Sequence, residues 1–129
     1  MYKALIIDDD TTIQTILQRI LKNKFDFTIY RAINGQEGLQ VLDQSNPDFV
    51  LLDISMPIMN GIEFLQKIRQ DERYKTLPVV VISANNDREA ITSTIDLGIT
   101  DYILKPIDIN LTISKIKMVI DNLEKNKTS

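Results

Sequence analysis

The sequence predicts an α/β fold, a five-stranded parallel sheet with five helices in one domain. Three observations carry this. Four short runs are apolar without interruption: ALII (4–7), FVLL (49–52), VVVI (79–82) and YIL (102–104). Such runs suit strands buried on both faces of a parallel sheet. Between them, apolar residues recur at helical spacing. Strand and helix then alternate five times with short connections, which requires parallel pairing through right-handed crossovers. A chain of 129 residues suits one domain with a sizeable core.

Each element has its own signal. After ALII come three acids, Asp8, Asp9 and Asp10, and then a stripe of Ile13, Ile16, Leu17, Ile20 and Leu21. Asp10, or Thr11 beside it, reads as the N-cap of that helix. FTIYRA (27–32) alternates more than the other strands and reads as an edge. The Asn34-Gly35 turn leads into a short helix marked by Leu39 and Leu42. FVLL is followed by a helix marked by Ile62, Leu65 and Ile68. After VVVI, Ile91 and Ile95 mark a fourth helix, opened by Asp87 as N-cap and closed by Gly98. After YIL, Ile109, Ile113, Ile116, Ile120 and Leu123 mark the fifth. Residues 125–129 are polar and read as a fraying tail or the start of a linker, which puts the domain at 1–124.

Composition narrows the chemistry. The chain has no cysteine and no histidine, which excludes disulfides, imidazole metal sites and the His-assisted nucleophiles. A net charge of −3 argues against nucleic acid or an anionic membrane as a direct partner. No apolar run approaches the roughly 20 residues of a membrane span, and the N-terminus does not resemble a signal peptide. The expected location is the cytoplasm.

In a parallel sheet all strands deliver their C-terminal ends to one edge, where ligands of open α/β sheets bind. The runs end there in Asp8, Asp9 and Asp10, in Asp53, in Ser83 and in Lys105. Singly, each has an ordinary reading: a helix cap, a turn residue, a loop cap, a solvated lysine. Together they ask for more. Two like charges about 4 Å apart repel by about 4 kcal/mol at an effective dielectric near 20, and capping uses only one of the acids. The economical reading is that Asp8, Asp9 and Asp53 share a divalent cation of the hard, oxygen-seeking kind, with Lys105 adding positive charge.

At this point the chain resembles a family, from end to end. LIIDD, DISMPIMNG, VVVISA and GITDYILKP stand in the order and spacing of the receiver domain of two-component response regulators. The resemblance implies a doubly wound, flavodoxin-like sheet in the order 2-1-3-4-5. It also implies roles. Asp53 corresponds to the phosphoryl acceptor. Asp8, Asp9 and Asp53, with the backbone carbonyl of Ser55, correspond to the ligands of magnesium, or of manganese in its place, with Asp9 direct and Asp8 acting mainly through water. Ser83 and Lys105 correspond to the groups that engage the phosphoryl, and the small Ala84 leaves room for the donor. Tyr102 corresponds to the switch aromatic, and the Lys105-Pro106 bond to a cis peptide ending in Pro106. The chain departs from the pattern at Ile99, where alanine is usual, and at Gly38, while Ser55 and Asn85 occupy positions that tune dephosphorylation.

The implied partners are a sensor histidine kinase or phosphotransfer protein upstream and a protein or output domain downstream. Homodimerisation on phosphorylation, through the face of helix 4, strand 5 and helix 5, belongs to the same implication, with Leu111 and Met118 off the main stripe of the last helix. The implied activity is that of a switch rather than an enzyme, with only weak metal-dependent self-phosphorylation and self-dephosphorylation. A rival lies in the opening stretch: Asp8, Asp10 and Thr12 fit D-x-D-x-T, the signature of haloacid-dehalogenase-type phosphatases with Asp8 as nucleophile. That rival leaves DISMP and LKP unexplained.

Overall fold

A computed structural model describes residues 2–84 and 87–128. Asn85, read above as a tuning position, lies outside the described residues. The elements are β1 (Tyr2–Ile7), α1 (Thr11–Lys24), β2 (Phe27–Ala32), α2 (Gly35–Ser45), β3 (Phe49–Asp53), α3 (Gly61–Arg69), β4 (Val79–Ala84), α4 (Arg88–Asp96), β5 (Asp101–Lys105) and α5 (Ile109–Thr128). The strands are parallel and lie in the order β2-β1-β3-β4-β5. Helix α5 continues through the residues read as a tail, to Thr128.

Two cores sandwich the sheet. Ala4, Ile6, Leu51 and Val80 pack on one face against Leu17 and Leu21 of α1 and Ile116 of α5. Leu5, Ile7, Leu52 and Val81 pack on the other against Leu42 of α2 and Phe64 and Leu65 of α3. Successive strand side chains alternate faces, so a strand covered on both sides must be apolar at every position. That is why ALII, FVLL and VVVI carry no polar interruption.

The fifth run behaves differently. In YIL, Ile103 is buried but Leu104 is 39 % exposed, because β5 is the second edge of the sheet and is not covered fully on both faces. Helix α4 also departs from its predicted stripe. Ile95 is 53 % exposed, while the neighbouring Thr94 is completely buried. Positions three and four residues after Ile91 lie on adjacent faces of a helix, and the packing selects the threonine. Its hydroxyl is satisfied by donating to the carbonyl of Ile91 at 2.6 Å. Ile109, the first residue of α5, is likewise exposed, and Ile107 packs against the core instead.

Four of the five helices begin on a side-chain cap, including α5, where the Asp108 carboxylate accepts the Leu111 N–H at 3.0 Å. The Asp10 carboxylate accepts from the N–H groups of Thr12 and Ile13, capping α1. Asn34 caps α2 and Asn60 forms a reciprocal capping box with Glu63 on α3. Asp87 precedes α4 but its side chain makes no capping bond. Gly98 takes φ +77° just beyond α4, as its reading as a terminator requires.

Arg69, the last residue of α3, ties two loops together. Its guanidinium donates to the carbonyls of Leu97 (2.8 Å), Tyr74 (2.7 Å), Leu77 (2.9 Å) and Gly98 (3.0 Å). It thereby fixes the C-terminal end of α4 against the loop that enters β4.

One backbone position is strained. Ile58, between β3 and α3, has φ +69° and is 75 % exposed. A β-branched residue in the left-handed region carries about 1–3 kcal/mol of strain with no buried contact to offset it. Glycine adopts this conformation freely but gives the unfolded chain more entropy, worth roughly 1 kcal/mol. Ile58→Gly is therefore expected to stabilise the protein by about 1 kcal/mol in urea unfolding. A clear loss of stability would show that the side chain packs against something after all.

Candidate functional site

The strand register assembles the site. Ile7 pairs with Leu52 across β1 and β3, so the residues that follow, Asp8 and Asp53, emerge side by side. Asp53 pairs with Ile82 on β4, and Ala84 with Lys105 on β5. Residues far apart in sequence thus meet at one edge, beside the point where connections leave β1 and β3 in opposite directions across the sheet.

Asp8 is completely buried and Asp53 is 3 % exposed, whereas Asp9 is exposed. Each of the three offers a carboxylate oxygen, and these oxygens all lie within 4.8 Å of one another. Lys105 reaches in from β5, its Nζ 3.5 Å from Asp53 Oδ1 and 3.8 Å from Asp8 Oδ2. Asp8 Oδ1 accepts the Asp10 N–H at 2.8 Å, but the buried Oδ2 has no hydrogen-bond partner among the described residues. Asp9 projects from the same loop.

Burial dominates the electrostatics. It pushes the Asp53 carboxyl up to about 7, with the charge on Asp8 raising it further and Lys105 opposing. Burial also raises Asp8, against the Asp10 N–H and Lys105. Both shifts come first from the cost of burying charge, and the neighbouring carboxylates add repulsion that Lys105 opposes. Three carboxylates against one ammonium leave two formal charges uncompensated, all on hard oxygen donors, and one buried oxygen lacks a hydrogen bond among the described residues. Those are the requirements of a divalent cation such as magnesium, so the residues present fit the group.

The other predicted residues fall around this centre. Ser83 is 2 % exposed, and its hydroxyl makes one long bond, to the carbonyl of Ala84 at 3.3 Å. Ala84 itself is exposed at the end of β4, and Ser55 is exposed in the loop two residues beyond Asp53. The Lys105-Pro106 peptide is cis. Tyr102 is half-buried on β5, with the ammonium of Lys115 4.7 Å from its ring centroid.

Three residues support the site in ways that their place in the sequence does not state. Gln14 on α1 is buried, and its amide donates to the carbonyls of Asp8 (2.7 Å) and Ala32 (2.8 Å), holding the acidic loop against β2. It stood in the sequence as a polar gap in an apolar stripe, which was the available signal. Gly61 opens α3 and donates its N–H to Ile54 at 2.9 Å; a Cβ there would lie 2.3 Å from the Asp53 carbonyl oxygen. Lys115 on α5 had no distinguishing signal. Asp10, by contrast, is engaged as a helix cap, which accounts for its place in the D-x-D-x-T match without any catalytic role.

The fold and the site define a class: a doubly wound α/β domain with an acidic, lysine-closed pocket at the C-terminal edge of its sheet. The model of the response regulator receiver domain matches residues 4–117. The chain is 32 % identical over 121 residues to the chemotaxis protein CheY of Pseudomonas aeruginosa, covering 94 % of this chain and 98 % of that protein. It is 34 % identical over 122 residues to the DNA-binding transcriptional regulator NtrC of Escherichia coli K12, covering 95 % of this chain and 25 % of that one. Among solved structures it superposes on the REC domain of AraT, a response regulator from Geobacillus stearothermophilus, with TM-score 0.86 and 25 % identity over 98 % of both chains. This chain belongs to the response regulator receiver domain family, the regulatory phosphoacceptor switches of two-component signalling. It spans nearly the whole of CheY and a quarter of NtrC. None of its described helices is long and apolar enough to cross a membrane.

Proposed function

We propose that Asp53 is the residue that accepts the phosphoryl group, and that Asp8, Asp9 and Asp53 itself, with the Ser55 carbonyl, hold magnesium, or manganese, there. The observation that carries this reading is the position of Asp53: a buried carboxylate within 4.8 Å of two others, with a lysine at 3.5 Å. The cation supplies charge neutralisation at the phosphoryl oxygens. An Asp53 carboxylate oxygen attacks phosphorus, the bond from phosphorus to the donor breaks, and the donor keeps that electron pair. Lys105 moves from its present contact with Asp53 to the new phosphoryl oxygens, stabilising charge where it develops. The Ser83 hydroxyl, underused at present, donates to another of those oxygens. Ala84 leaves the approach open. The phosphoryl adds charge of about −1.5 to −2, by analogy with other phosphorylated side chains.

The drawing-in of Ser83 and Lys105 then shifts α4 and β5 as a two-state element, and Tyr102 turns inward with it. The donor is a histidine kinase or phosphotransfer protein, and the readout is a partner or output domain that binds the face of α4, β5 and α5, in the cytoplasm. Leu111 and Met118 are exposed on α5 and contribute to that face, including to a homodimer formed on phosphorylation. The domain proper is 1–124, with α5 running on beyond it to Thr128. Self-phosphorylation from a small acyl phosphate, and slow self-dephosphorylation, follow from the same site without a separate catalytic base.

The test is intact-protein mass spectrometry after incubation with a small acyl phosphate. The expected result is a gain of one phosphoryl group that requires magnesium, disappears with a chelator and is absent in Asp53→Asn. Phosphorylation that persists in Asp53→Asn and is lost in Asp8→Asn would overturn the assignment.

A further inference from the structure

Resting on the reading of Tyr102 as a switch, we propose that Lys115 is its positioning residue: the ammonium holds the ring where it now stands and opposes its inward turn. Lys115 lies on α5, and its side chain is 18 % exposed. Its Nζ donates to Asp101 Oδ1 at 3.2 Å and to the carbonyl of Tyr102. The Asp101 carboxylate is itself held, since the same Oδ1 accepts the Tyr102 N–H at 2.7 Å. An ammonium has three N–H groups, and two of its partners here belong to the strand rather than to the ring. Those two remain in place when the Tyr102 side chain rotates. The cation is thus anchored, and the third contact, to the ring face at 4.7 Å, is the one that changes.

That difference is what a bias requires. A group shifts a two-state equilibrium only through contacts it makes unequally in the two states. One side of the ring packs against the core that also holds Ile91, Leu97 and Ile99, but its hydroxyl makes no hydrogen bond among the described residues, and it borders an open cleft of about 600 Å³ lined also by Arg88, Thr92 and Leu104, so the ring has room to turn. A shielded ammonium over a tyrosine face favours that ring position by about three- to ten-fold. By linkage, Lys115 lowers the affinity of the unphosphorylated protein for any group that needs the inward ring by the same factor.

The experiment uses beryllofluoride with magnesium as the phosphoryl mimic and the NMR signals of labelled tyrosine rings, with Tyr102→Phe to assign the signal. In the wild type the Tyr102 signal is expected to move on saturation. Lys115→Met keeps the aliphatic stem and removes the charge. It is expected to bind the mimic about three- to ten-fold more tightly, with its mimic-free Tyr102 signal displaced toward the saturated position. Lys115→Arg retains a cation and its stacking and should match the wild type. Unchanged affinity and ring position in Lys115→Met, even with a lowered melting temperature, would overturn the proposal while leaving Tyr102 as the switch. A wild-type ring signal that ignores the mimic would remove the switch role of Tyr102 and this inference together. Should Lys115→Met not fold, Lys115→Gln carries the same comparison.

Discussion

Asp53→Asn is expected to be the more stable protein at pH 8 in the absence of metal, while accepting no phosphoryl group. The sign follows from proton binding. In the folded chain the carboxyl of Asp53 is pushed from 3.8 up to about 7 by burial and by Asp8. Between those values the folded state holds a proton that the unfolded state has released, so stability falls as pH rises through the window. Above it the folded protein carries a buried carboxylate that Lys105 compensates only in part. Asparagine keeps the shape and removes the charge. A gain of about 2–4 kcal/mol above pH 7, shrinking toward zero near pH 4, is the expected outcome of denaturant titrations over that range. Magnesium should reverse the ranking, because it binds the folded wild type and adds RT ln(1 + [Mg]/Kd) to its stability. Equal stabilities at pH 8 without metal would mean that Asp53 is not strained by its burial, and the electrostatic account of the site would fall.

Gly61→Ala should be damaging in both stability and phosphorylation. The new Cβ would sit 2.3 Å from the Asp53 carbonyl oxygen and 2.9 Å from Ile54 Cα. Both are backbone atoms and cannot rotate aside, so the chain carrying Asp53 must move. Overpacking of this kind costs about 1–3 kcal/mol or more. A displacement of the order of 1 Å at the acceptor lowers the phosphorylation rate by up to about a hundred-fold. Gly38→Ala is the informative control. Its Cβ would meet Ile7 Cδ1 at 2.6 Å and Phe64 Cε2 at 3.2 Å, side-chain atoms that can shift. Alanine also recovers about 1 kcal/mol of helix propensity, so the net change there is expected to be small and the phosphorylation rate unaffected. Measuring both variants by urea unfolding and by the rate of phosphoryl uptake separates backbone approach from ordinary crowding. Wild-type behaviour of Gly61→Ala would show that α3 does not press on Asp53.

The two substitutions illustrate what was legible in advance. The acidic pair, Asp53, Ser83 and Lys105 were readable because each ends an apolar run, and a parallel sheet sends all such ends to one edge. Gly61 was readable only as part of a motif, since the contact that requires it lies across the β3–α3 loop. Gln14 and Lys115 looked like ordinary polar residues of amphipathic helices. Their partners, the carbonyls of Asp8 and Ala32 and the ring of Tyr102, lie on other elements, and helical periodicity says nothing about what faces a polar position.

By itself, then, the sequence determined the order of the elements, the two-sided burial of β1, β3 and β4, a cap at Asp10 or Thr11 and the set of residues delivered to the sheet edge. All of these are written in local patterns, because strand and helix periodicity and turn chemistry act over a few residues. Only the tertiary structure decided that Thr94 rather than Ile95 is buried, that β5 is an exposed edge, and that a buried oxygen of Asp8 has no hydrogen-bond partner among the described residues. It alone set the proton affinity of Asp53 and the seat of Lys115 against Tyr102. These depend on how closely distant segments approach, and burial and Coulomb energy are properties of that approach, which no single segment carries.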